Sequence, residues 1–183
     1  MSTWTVIGVL TVIGLLLLGA YLSMTAGRLD HLHRRIDSSR LLLDAQLLRR
    51  SSVALELASG RLLDPAASLV LASAAHHART STDLSDDEHA MAESDLTAAL
   101  MAALEPDDLA LAQEAPDGPE TLEELEAACR RVQLTRRFHN DAVRACRQLR
   151  RQRMVRLFGL AGHTPWPESW EMDDSMPEGL PVR

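Results

Sequence analysis

The sequence predicts an all-α protein: one membrane-spanning helix at the N-terminus, then an antiparallel four-helix bundle. Three observations carry this expectation. The first twenty-seven residues hold no charged side chain and are mostly apolar. Beyond residue 25, β-branched residues are sparse and alanine, leucine, arginine and the acids dominate, a composition that favours helix over sheet. Apolar residues then recur at three- and four-residue steps, the spacing of a helix with one face turned inward.

The anchor comes first. Residues 4–22 read WTVIGVLTVIGLLLLGAYL, without a single ionisable acid, arginine or histidine. At about 1.5 Å per residue this run spans roughly 28 Å, close to one hydrocarbon core of ~30 Å. A secretory signal would carry a basic start, a short apolar core and small residues at the cleavage site. Met1, Ser2 and Thr3 lack the first, the core is long, and the best cleavage positions have Leu18 or Met24 at the third residue back. The reading is therefore an uncleaved anchor over residues 1–26. Arginine is absent before it, while Arg28, Arg34 and Arg35 follow closely, so the positive-inside rule places the N-terminus outside and the bundle in the cytoplasm. Two unpaired cysteines agree with a reducing compartment.

The bundle is expected over residues 27–160. Gly27 separates the anchor from a first helix at about 28–59, with Leu29, Leu32, Ile36, Leu43, Leu47, Val53 and Leu57 along one face and Gly60 as its C-cap. Asp64-Pro65 reads as an N-cap followed by proline at the first helical position, opening a second helix to about Arg79. Ser85 and Glu88 form a capping-box pattern for a third helix to about Leu104, lined by Met91, Leu96, Leu100 and Leu104. Residues 105–119, rich in acids and proline, read as a loop with one short turn at 108–112. A fourth helix runs from about Glu120 to Leu157, its inward stripe Leu122, Leu125, Cys129, Val132, His139, Val143, Cys146 and Leu149. Residues 161–183, with four prolines and several acids, read as a mostly irregular tail.

The net charge of −7 hides an asymmetry. Fifteen acids and no arginine lie between Thr80 and Cys129; ten arginines and one acid, Asp141, lie between Arg130 and Arg156. That is not the pattern of a nucleic-acid binder. In an up-down-up-down bundle the fourth helix returns to the membrane. Arg147, Arg150, Arg151, Arg153 and Arg156 would then join Arg28, Arg34 and Arg35 as lipid-facing candidates, each drawn to anionic headgroups by about 1 kcal/mol. Trp166 and Trp170 follow, and tryptophan favours that interface. Complementing the helix dipole would account for two or three of these cations. The acidic run is either a solvated face or a surface for a basic partner.

Residues 128–143, ACRRVQLTRRFHNDAV, resemble the signature of the LemA family through Arg136, Arg137, Phe138, Asn140, Ala142 and Val143. Arg28-Leu29, the run Asp44 to Arg50, Glu93-Ser94-Asp95-Leu96, Ala99-Leu100, Leu122 to Leu125 and Phe158-Gly159 agree in order, so the likeness covers roughly residues 5–172. His139, Cys146, Arg147 and the Ser169-Trp170-Glu171 ending depart from the usual pattern, as in a divergent relative. The resemblance implies a bacterial, single-pass plasma-membrane protein with a helical bundle. It implies no reaction and no cofactor, since the family has none established. It points to a non-catalytic scaffold or adaptor with an unnamed protein partner. The alternative is a regulatory partner of a membrane peptidase, because members occur near such enzymes or in magnetosome membranes.

Other constellations carry less chemistry. His76-His77 lack a carboxylate one turn away and read as solvated. The Asp86-Asp87-Glu88-His89 run is a polar cluster beside a turn, without the ExxH of a four-helix metal site. Gln46, Arg50, Arg136 and His139 interrupt the apolar stripes. Either they form a polar layer that fixes helix register, or the arginines snorkel outward.

Overall fold

The computed structural model describes residues 3–180, and all regular structure among them is helical. The helices are α1 (Thr3–Ser59), α2 (Pro65–Thr80), α3 (Asp86–Ala103), α4 (Pro106–Glu114), α5 (Gly118–Arg150) and α6 (Arg153–Leu157), with a 3-10 turn at Ser81–Asp83. α1 is the one described helix long and apolar enough to cross a membrane, and its apolar window is not covered by any other part of the chain.

Gly27 does not separate an anchor from a soluble helix: α1 runs through it unbroken. One glycine costs a helix about 1 kcal/mol, which the surrounding hydrogen bonds outweigh when no proline follows. α1 ends where Arg61, not Gly60, takes the left-handed conformation (φ 56°), while the Gly60 N–H still donates to the Glu56 carbonyl at 2.9 Å. Leu62 then turns back into the core. α2 starts as expected: the Asp64 carboxylate accepts from the N–H groups of Ala66 (2.8 Å) and Ala67 (3.1 Å), with Pro65 at the first position. The Ser85–Glu88 capping box is complete at the head of α3.

Two expectations fail between Glu105 and Leu157. The loop at 105–119 contains α4, started by Pro106 and held by buried Leu109 and Ala112. The long last helix is broken after Arg150. In an unbroken helix, residues 149 and 155 would point about 120° apart. The break, with Gln152 extended (φ −63°, ψ 138°), lets Leu149 and Val155 enter one apolar cluster. Met91, expected inward, is 67% exposed.

The chain forms two compact units, and both α1 and α5 contribute to each. Unit 1 comprises residues 1–38 and 141–169. Its core is Leu29, Cys146, Leu149 and Val155, flanked by Leu32, Ile36, Leu160 and Ala161. Unit 2 comprises residues 39–140 and 170–183. Its larger core joins Val53 and Leu57 of α1, Leu71 and Ala75 of α2, Leu96 and Leu100 of α3, and Leu122, Leu125 and Cys129 of α5. Within unit 2, α5 runs antiparallel to α1, since Ser39 meets His139 and Arg49 pairs with Glu124. α3 runs parallel to α1, since Arg40 pairs with Asp86 and Arg50 with Glu93.

Among its described residues the tail has no helix, yet it is not loose. Trp170 (3% exposed) packs with Leu43, Leu47, Ala90 and Val132, and Leu180 joins the main core.

Candidate functional site

Every lipid-facing candidate falls in unit 1. This unit holds nine arginines against four carboxylates (Asp30, Asp37, Asp141 and Glu168), although the whole chain is acidic. Arg28, Arg34, Arg35, Arg151, Arg153 and Arg156 are exposed. Arg147 and Arg150 are partly covered and bind backbone: Arg147 Nε donates to the Pro167 carbonyl at 2.7 Å. Arg150 donates to the carbonyls of Pro165 (2.6 Å) and Thr164 (2.8 Å), and its guanidinium lies 5.0 Å from the Trp166 ring centre. A carbonyl fixes a guanidinium without cancelling its charge, so both cations remain available electrostatically.

A cavity of about 470 Å³ opens among Arg150, Arg151, Val155, Arg156, Gly159, Ala161, Gly162 and Trp166. Gly159 and Gly162 have φ of 59° and 56°, the left-handed conformation glycine adopts without strain. They turn the chain tightly after α6. A second groove of about 670 Å³ runs beside Met24, Gly27, Arg28 and His31.

The polar residues in the stripes do not form one layer. Arg50 does not snorkel: it is 1% exposed, donating to the Glu93 carboxylate (2.5 Å), the Glu93 carbonyl (3.0 Å) and Thr97 Oγ1 (3.1 Å). His89 Nε2 lies 3.6 Å from the other oxygen of Glu93, and its ring meets Trp170 edge-on at 5.3 Å. His139 pairs instead with Ser39 at 3.0 Å, seven residues along α1 from half-buried Gln46. His89 is thus a core residue rather than part of a turn-side cluster. Periodicity offers a signal for this set, because His89, Glu93, Thr97 and Leu100 share one face of α3.

The residues that carried the resemblance divide by role. Asn140 clamps the tail: its Nδ2 donates to the Trp170 carbonyl at 3.0 Å, and its Oδ1 accepts the Trp170 N–H at 2.8 Å. Arg136 donates through Nε and Nη2 to the Asp174 carboxylate, both at 2.8 Å. Gln133, Thr97 and Ser94 bind the backbone of Asp173 and Asp174, and Arg40 stacks 3.7 Å from the Trp170 ring centre. Ala142 and Val143 are buried; Arg137 and Phe138 are exposed. His76 and His77 are exposed on α2.

Burial pushes the thiols of Cys129 and Cys146 above the usual range. Hydrogen bonds from Ser175 hold the Asp173 carboxyl below its usual range. Comparison with known proteins finds no matching family model, no matching curated protein and no matching solved structure.

Proposed function

We propose that this chain is a single-pass, LemA-like membrane protein: a non-catalytic scaffold or adaptor on a four-helix bundle, held at a bacterial plasma membrane with the bundle in the cytoplasm. One observation carries the reading. The unit that contains the bare apolar helix is also the unit in which arginines outnumber acids. Such a pairing suits an element that enters lipid and then meets anionic headgroups on the cytoplasmic side.

Two further features support it. Asn140, from the stretch that carried the resemblance, binds the backbone of Trp170, so the signature asparagine has a structural role in seating the tail. Three buried ionisable groups of unit 2 are spent on one another, Arg50 on Glu93 with His89 beside it, which suits a framework more than a reaction centre.

Alkaline carbonate extraction of membranes carrying the full chain, with protease added outside intact cells, tests the reading. The expected result is a chain that stays in the membrane pellet with its bundle protected. Extraction by carbonate, digestion of the bundle from outside, or a mature N-terminus beyond Ala20 overturns it.

A further inference from the structure

We propose that the arginine cavity of unit 1 is a binding site for the phosphate of an anionic phospholipid headgroup. The inference rests on the membrane-anchored reading and adds to it a defined site in place of diffuse attraction.

Three guanidinium groups line the cavity, and among the described residues no carboxylate does. Arg150 is already positioned, braced by the carbonyls of Thr164 and Pro165 and stacked beside Trp166, so little side-chain freedom is lost when an anion arrives. Arg151 and Arg156 have no ion-pair partner among the described residues. Guanidinium forks match phosphate oxygens, and two free forks beside a fixed one can surround such a group. Gly159 and Gly162 contribute wall without side chains; a Cβ at either would meet nothing within 4 Å. The volume, about 470 Å³, lies in the range of small-molecule sites.

The neighbouring side chains choose between lipid and free phosphate. Leu157 is 76% exposed, and Phe158 and Trp166 are each 44% exposed, on the same short stretch that forms the cavity. Inorganic phosphate would leave this apolar surface in water. A phospholipid supplies a phosphate for the arginines and a glycerol–acyl boundary for the apolar side chains, the depth at which tryptophan is enriched.

The test uses the full chain in neutral detergent micelles, titrated with short-chain phosphatidylglycerol, short-chain phosphatidylcholine or inorganic phosphate, with binding followed by native mass spectrometry. The expected result is one saturable phosphatidylglycerol site, with much weaker phosphatidylcholine and phosphate binding. R151Q/R156Q should weaken it about thirtyfold, while R34Q/R35Q, basic but outside the cavity, should change it less than about twofold. Circular dichroism checks that both variants stay folded. Equal losses from the two double variants would mean distributed charge and overturn the cavity, while leaving the membrane anchor standing. Competition by inorganic phosphate at equal concentration would overturn the lipid assignment. Indifference between the two lipids would overturn the site itself; carbonate extraction reports on the anchor independently.

Discussion

At the residue scale, unit 2 depends on a few buried polar contacts whose partners cannot be removed singly. A buried ion pair gives little net stability, but deleting one member strands the other's charge at a cost of about 3–5 kcal/mol. Glu93→Gln should therefore destabilise the protein by about that much in urea unfolding, whereas Arg50→Met combined with Glu93→Leu should recover most of the loss. Asn140→Ala leaves the Trp170 N–H and carbonyl without their side-chain partner in a buried position. The expected cost is about 2–4 kcal/mol, with faster proteolysis near residue 170. The buried thiols supply a pH dependence. Their folded pKa lies above the unfolded one, so the folded state holds those protons longer. Their contribution is fully present below the ordinary thiol pKa of ~8.5 and declines as pH rises past it. Both cysteines should resist a thiol reagent at neutral pH and react once urea unfolds the chain. A native chain that reacts at the unfolded rate would contradict the burial.

At the element scale, the caps of α2 and α3 and the ends of α1, α2 and α3 were legible, whereas the internal breaks and α4 were not. Asp64-Pro65 and Ser85-x-x-Glu88 mark starts through side chains that bond their own backbone, which is local chemistry. Ser85→Ala should cost about 1 kcal/mol, readable as a lower urea midpoint. Breaks answer to packing. α1 ignores Gly27 because nothing competes with its hydrogen bonds there. α5 ends early because the chain beyond must bring Val155 to Leu149. The α4–α5 connection depends on Gly118: a Cβ there would sit 1.6 Å from the Ala112 carbonyl oxygen. Backbone cannot yield as a flexible side chain would. Gly118→Ala should therefore cost at least about 1–3 kcal/mol and displace α4, which hydrogen exchange over residues 106–114 would register.

At the scale of the whole molecule, the order of charge along the chain becomes a division between units. The arginine-rich end of α5 shares a unit with the arginines that follow the apolar run, although more than a hundred residues separate them in sequence. Unit 2 carries the acidic stretch. On the proposed reading the apolar helix and not the arginines supplies the anchoring, so membrane attachment of the full chain should survive high salt, while preference among lipids should fade as ionic strength rises. Loss of attachment in high salt would mean that charge alone holds the chain at the membrane.

By itself the sequence determined the helical class, the apolar helix, the caps of α2 and α3, and the inward stripe of α5, in which Leu122, Leu125, Cys129, Val132, His139, Val143, Cys146 and Leu149 are all buried. Each is set by spacing or by contacts within a few residues. Tertiary structure alone decided that Arg50 turns inward to Glu93, that Asn140 seats Trp170, and that Arg150 binds the carbonyls of Thr164 and Pro165 beside its cavity. Those choices join residues 14 to 43 positions apart. A charged or polar side chain leaves water only where a distant partner replaces its lost hydration, and no local pattern carries that partner's address.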